Sequence, residues 1–86
     1  MASKAEIRTK VYALFATITD QDSSAIKPGD TLRGTYGLSS LYCELLATPY
    51  TNISKNSGGT RVTRREAGAV QKVDDAVMLV HKHANQ

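Results

Sequence analysis

Gly37-Leu38-Ser39-Ser40-Leu41-Tyr42-Cys43-Glu44-Leu45-Leu46 is the stretch in which the chain passes from loop to helix. Gly37 allows a sharp backbone turn, and either Ser39 or Ser40 can cap a helix by accepting a hydrogen bond from an N–H of its first turn. Leu41, Leu45 and Leu46 follow at helical spacing, so Leu41 is expected to anchor this end of the helix to the core. Pro49 has no N–H and costs about 3 kcal/mol inside a helix. The regular part is therefore expected to end near Thr48 unless the helix kinks and continues.

Upstream, Ile7, Val11, Leu14, Phe15 and Ile18 mark one face of a first helix over about residues 4–18, and Ser3 followed by Glu6 forms a capping-box start. Between the two helices lies a long connector, Ala25 to Ser39, with a Pro28-Gly29-Asp30 turn and three apolar pins, Ile26, Leu32 and Leu38. Downstream, Thr51 to Thr60 contains Asn56-Ser57-Gly58-Gly59 and reads as a flexible loop. A short turn-forming stretch, Thr63 to Ala69, leads to a last helix whose face is Val70, Val73, Val77 and Val80, fraying after Lys82. The expected core is Ile7, Val11, Leu14, Phe15, Ile18, Leu41, Leu45, Leu46, Val62, Val70, Val73, Val77 and Val80.

With 86 residues there is room for a single domain, 1–86, and little room for a deep catalytic cleft. Hydrophobic residues make up 41% but aromatics only 6%, so the core is aliphatic, which favours packed helices over a β-sandwich. One cysteine, Cys43, excludes an internal disulfide, and no Cys/His spacing suits a metal. The N-terminus has no signal-peptide run and no stretch approaches the ~20 apolar residues that span a bilayer, so a cytoplasmic protein without membrane attachment is expected. The net charge of +3 permits anionic partners without choosing among them.

The order helix, long loop, helix opening on Gly-x-x-Ser-Leu, short helix, final helix resembles the acyl carrier proteins and peptidyl carriers. Gly37-Leu38-Ser39-Ser40-Leu41 stands against that family's usual Gly-x-Asp-Ser-Leu. Val62-Thr63, Glu66-Ala67, Val70 and Val73-x-x-Ala76-Val77 are similar to its third and fourth helices. The resemblance implies an all-α, four-helix acyl-carrier-like bundle with a long loop between helices one and two. It further implies a 4'-phosphopantetheine arm on Ser40, holding an acyl or aminoacyl group as a thioester for fatty-acid, polyketide or peptide biosynthesis. Such a carrier is not itself an enzyme and acts as a monomer. Its implied partners are a phosphopantetheinyl transferase and the acyl-loading, acyl-transfer or condensing enzymes. The exposed start of a helix, with free N–H groups and a positive dipole end, independently suits a phosphodiester on serine.

Three departures shape the expectation. Ser39 replaces the acidic residue, and the family's commonest spacing from Leu32 or Glu44 points to Ser39 as the rival site; the contiguous match of glycine, serine and leucine selects Ser40. Pro49 and a longer following segment alter the helix that docks partners. Arg64 and Arg65 place positive charge where carriers are commonly acidic, so partners with acidic docking faces are expected.

Other residues carry blander readings. Cys43 reads as a small core residue. His81-x-His83 reads as a solvated helix tail, and Asp74 and Asp75 as partners of a helix dipole. Arg61, Arg64 and Arg65 ahead of a valine-rich helix leave a small DNA-binding domain open as an alternative, although nucleic acid would not explain the Gly-x-x-Ser-Leu turn. An unmodified helical adaptor is the third class.

Overall fold

The computed structural model describes residues 2–86, which form a mostly helical domain of 31 × 27 × 17 Å. Helix α1 spans Lys4–Thr19, α2 Ser40–Leu45, α3 Ala47–Asn56, α4 Arg64–Gly68 and α5 Val73–Ala84, with a 3₁₀ turn at Ser23–Ala25. No strand occurs among the described residues; the single β-bridge joins Thr31 to Lys72.

α1 starts as its sequence dictates. The Ser3 Oγ accepts from the Glu6 N–H at 3.1 Å and donates to the Glu6 carboxylate at 3.2 Å. The helix buries Ile7, Val11, Phe15 and Ala16 and ends where Asp20 turns left-handed. α1, α3 and α5 pack on one another, while α2 packs chiefly on α4.

The connector is ordered by short bonds to itself and to the start of α5. The Leu32 N–H donates to the Gln71 carbonyl at 2.9 Å, Val73 to Asp30 at 3.0 Å and Asp74 to Pro28 at 3.0 Å. The Tyr36 hydroxyl donates to the Asp30 carboxylate at 2.8 Å. Ile26 and Leu32 are buried and Leu38 half-buried, as the three pins require.

Two expectations about the middle of the chain are corrected. The helix does not end near Thr48; the other outcome holds, a kink at Leu46 and continuation as α3 to Asn56, so most of the stretch read as a flexible loop is helical. Pro49 is tolerated because it lies third in α3, where backbone N–H groups have no intrahelical partner to lose. The kink supplies the break that proline would otherwise force. The remainder of that stretch is pinned as well. Ser54 is fully buried and its hydroxyl donates to the Thr60 carbonyl at 2.7 Å, while the Thr51 hydroxyl accepts from the Val62 N–H at 2.9 Å.

Gly59 is required by close approach to α5. A Cβ there would overlap the His83 carbonyl oxygen, the Ala84 Cα and the Ser54 Oγ. We expect Gly59→Ala to destabilise the fold by about 1–3 kcal/mol, measured by thermal or urea unfolding. Wild-type stability in that variant would show that the segment around Gly59 can move away from α5 at no cost.

The core also departs from expectation at two leucines. Leu41 is 57% and Leu45 52% exposed, whereas Cys43, Leu46, Ala47 and Tyr50 are buried. The buried stripe of this helical pair is Cys43, Ala47, Tyr50 and Ser54, at spacings of four, three and four. Leu41 and Leu45 each lie two residues out of phase with it, which at about 100° per residue puts them on the opposite side. Leu14 and Ile18 are half-buried; the other expected core residues are buried.

Candidate functional site

Gly37 takes a φ of 68°, and a Cβ there would meet nothing within 4 Å, so backbone conformation and not space calls for glycine. The turn sends the connector into α2. Ser39 is the N-cap: its Oγ accepts from the Tyr42 N–H at 3.1 Å and its carbonyl from the Cys43 N–H at 3.0 Å. Ser40 is the first residue inside the helix. It is exposed, and its hydroxyl has no hydrogen-bond partner among the described residues.

The two candidate serines therefore differ in chemistry. Ser39 spends its oxygen on the helix end, accepting from the Tyr42 N–H. Ser40 keeps its hydroxyl free and facing solvent. Leu41, Tyr42 and Leu45 of the same helix are exposed, while Glu44, one turn on from Ser40, pairs with Arg64.

Cys43, one turn in, is buried, as expected of a core residue. Burial pushes its thiol up, opposed by the nearby positive charge of Arg33 and by a backbone hydrogen bond. A nucleophilic role is disfavoured by both the burial and the raised thiol.

Arg61, Arg64 and Arg65 are exposed. The Arg64 guanidinium donates to the Glu44 carboxylate at 3.3 Å and ties α4 to the flank of α2. α4 itself has five residues, and the first turn of α5 carries Asp74 and Asp75. Two carboxylates at that position would face phosphates if α5 entered a groove of DNA. The Asp75 carboxylate instead accepts from the Lys72 N–H at 3.2 Å and caps the helix start.

One polar constellation escaped the sequence reading. His83 was expected on a solvated tail, but α5 continues to Ala84 and His83 is 8% exposed. Its Nε2 lies 2.8 Å from the Glu66 carboxylate and its Nδ1 2.7 Å from the Thr60 hydroxyl. Glu66 also accepts from the Thr63 N–H at 3.1 Å, closing the α4 capping box. A neutral ring therefore carries its proton on Nε2, and Nδ1 accepts from Thr60. A protonated ring donates at both nitrogens, and Thr60 can turn its own proton to Gln86 Oε1 at 3.1 Å. The network joins α4, α5 and the segment between α3 and α4. The signal for it was present in part, because Thr63-x-x-Glu66 is a capping pattern; its partner seventeen residues on was not legible.

No group of three or more His, Cys, Asp or Glu among the described residues could hold a metal ion. No helix among them is long and apolar enough to cross a membrane. The chain matches no protein-family profile, and a search of curated proteins finds no related sequence.

Proposed function

We propose that this chain is a discrete carrier protein of the acyl-carrier type, a four-helix bundle that bears a 4'-phosphopantetheine arm on Ser40. The observation that carries the reading is the division of labour between Ser39, bonded as helix cap, and Ser40, exposed and free at the first position of α2. The arm would supply a thiol on which acyl or aminoacyl cargo is held as a thioester. Attachment forms a bond from the Ser40 Oγ to phosphorus and breaks the pyrophosphate of coenzyme A, releasing adenosine 3',5'-bisphosphate. The serine proton passes to a base of the separate transferase, so the chain needs no catalytic set of its own. In this reading it works as a cytoplasmic monomer.

The residues fit such an arm. Gly37 lifts the turn clear of neighbours, Ser40 is open to a transferase, and Arg33 sets a positive charge near the first turns of α2. Leu41, Tyr42 and Leu45 give partner enzymes an apolar contact next to the modified serine. The test is intact-mass measurement after incubation with coenzyme A and a broad-specificity phosphopantetheinyl transferase, with Ser40→Ala as the control.

The arginines bear on which partners dock. Arg64 pairs with Glu44, one turn on from Ser40, and so borders the face that presents the serine; Arg65 adds a second exposed charge on α4. Acidic docking faces are favoured there, and enzymes with basic ones are repelled. Arg64→Glu combined with Arg65→Glu should raise the rate of modification or acylation by general fatty-acid-pathway enzymes about tenfold at low salt. The gain should shrink at physiological ionic strength, where exposed charges act over about 8 Å. Unchanged rates with the helical circular dichroism intact would place the pair outside the docking face.

A further inference from the structure

The Thr60 hydroxyl, the His83 ring and the Glu66 carboxylate stand in sequence, 2.7 Å from Thr60 Oγ1 to His83 Nδ1 and 2.8 Å from His83 Nε2 to Glu66. Hydroxyl, imidazole and carboxylate in that order are the arrangement in which a serine or threonine is activated as a nucleophile. The backbone fixes each member. The Thr60 N–H donates to the His83 carbonyl at 3.0 Å and the Thr60 carbonyl accepts from the Ser54 hydroxyl at 2.7 Å, while the α4 capping box holds Glu66.

The proton is on the nitrogen the task requires. Because the Glu66 carboxylate accepts from Nε2, Nδ1 of the neutral ring is the acceptor that faces Thr60. The ring is buried but Thr60 is exposed, so the network ends at solvent in an oxygen whose proton already has an acceptor. The next backbone N–H, that of Arg61, has no hydrogen-bond partner among the described residues. A free N–H directly after the nucleophile is the kind of donor that stabilises an oxyanion. A network serving stability alone requires neither an exposed hydroxyl nor a free N–H beside it.

We propose that Thr60 is an acyl-accepting nucleophile, with His83 as its general base and Glu66 as the residue that positions the ring, and that its substrates are small acyl thioesters. The Thr60 Oγ1 attacks the thioester carbonyl carbon while its proton passes to His83 Nδ1. Collapse of the tetrahedral oxyanion breaks the carbon–sulfur bond, and the proton passes on to the departing thiolate. The products are an acyl ester on Thr60 and a free thiol. This goes beyond the carrier reading and uses no atom of Ser40.

The experiment incubates the unmodified chain with phenyl thioacetate at neutral pH and locates acetyl groups by peptide mass, with mild hydroxylamine to distinguish the ester from lysine amides. Thr60 should label roughly 100-fold faster in the folded chain than in urea, a general base's contribution. Thr60→Val should remove the label and Thr60→Ser should keep it. The amide of Glu66→Gln can donate to Nε2 and reverse the tautomer, so labelling should fall by at least about tenfold, and Glu66→Asp should recover part of it. His83→Ala should lose the label and regain some with added imidazole. No ester at Thr60, an equal rate in urea, or unchanged labelling in either Glu66→Gln or His83→Ala would overturn the proposal.

Discussion

Replacing His83 by alanine should destabilise the fold by about 2–3 kcal/mol at neutral pH, a large share of the 5–15 kcal/mol that holds a domain together. The loss has two parts. Alanine leaves a cavity among Thr60, Glu66 and the end of α5, and it strips the Glu66 carboxylate of the partner at 2.8 Å. The Glu66 side chain is 31% exposed and keeps its bonds from Thr63, so the cost falls below the about 3–5 kcal/mol expected when a fully buried pair is broken. Urea unfolding of wild type and variant provides the measurement, and a difference under about 0.5 kcal/mol, the range of ordinary surface substitutions, would show the network to be ornamental.

The same network sets the response to acid. The hydrogen bond from His83, followed by the one from the Thr63 backbone, holds Glu66 at about 2 against an ordinary 4.5, with burial opposing. A carboxylate depressed in the folded state contributes stability that is present above its unfolded value and is lost as pH falls through the folded one. Wild type should therefore weaken between pH 4.5 and about 2. Glu66→Gln should lack that component, and His83→Ala should retain part of it through Thr63. Parallel acid profiles in wild type and Glu66→Gln would contradict the assignment.

Much of the fold was legible because local signals and burial agreed. Ser3 with Glu6 marked the start of α1, and Val73, Val77 and Val80 marked the buried face of α5, although Val70, expected on that face, is buried just ahead of the helix. The middle of the chain was harder, for a physical reason. Leucine spacing at Leu41, Leu45 and Leu46 looks like a core face, yet the packed face uses Cys43, Ala47 and Tyr50. Of that face only Cys43 lies on α2, whose approach to α4 is close: a Cβ on Gly68 would come within 2.9 Å of the Glu44 Cγ. Pro49 left both a stop and a kink open, and the sequence did not reveal that the break falls at Leu46, which makes Pro49 an early helical position. At the candidate site the turn and both serines were visible. Only geometry separates the serine that caps from the serine that is free, because either serine suits either task.

On the proposed carrier reading, Ser40→Ala should abolish attachment of phosphopantetheine altogether, since it removes the hydroxyl proposed to bear the arm, which caps nothing in the fold. The helix should be unaffected, because the cap bond belongs to Ser39. Ser39→Ala should show the converse: the arm still attaches, while stability falls by about 1 kcal/mol through loss of the cap. Intact mass of the wild-type chain and of both variants, after incubation with coenzyme A and transferase, tests the central claim most directly. The account predicts a single added arm on wild type and Ser39→Ala and none on Ser40→Ala. An arm that survives Ser40→Ala but disappears in Ser39→Ala would move the site to Ser39, and no addition to the folded wild type with several transferases would contradict the carrier function itself.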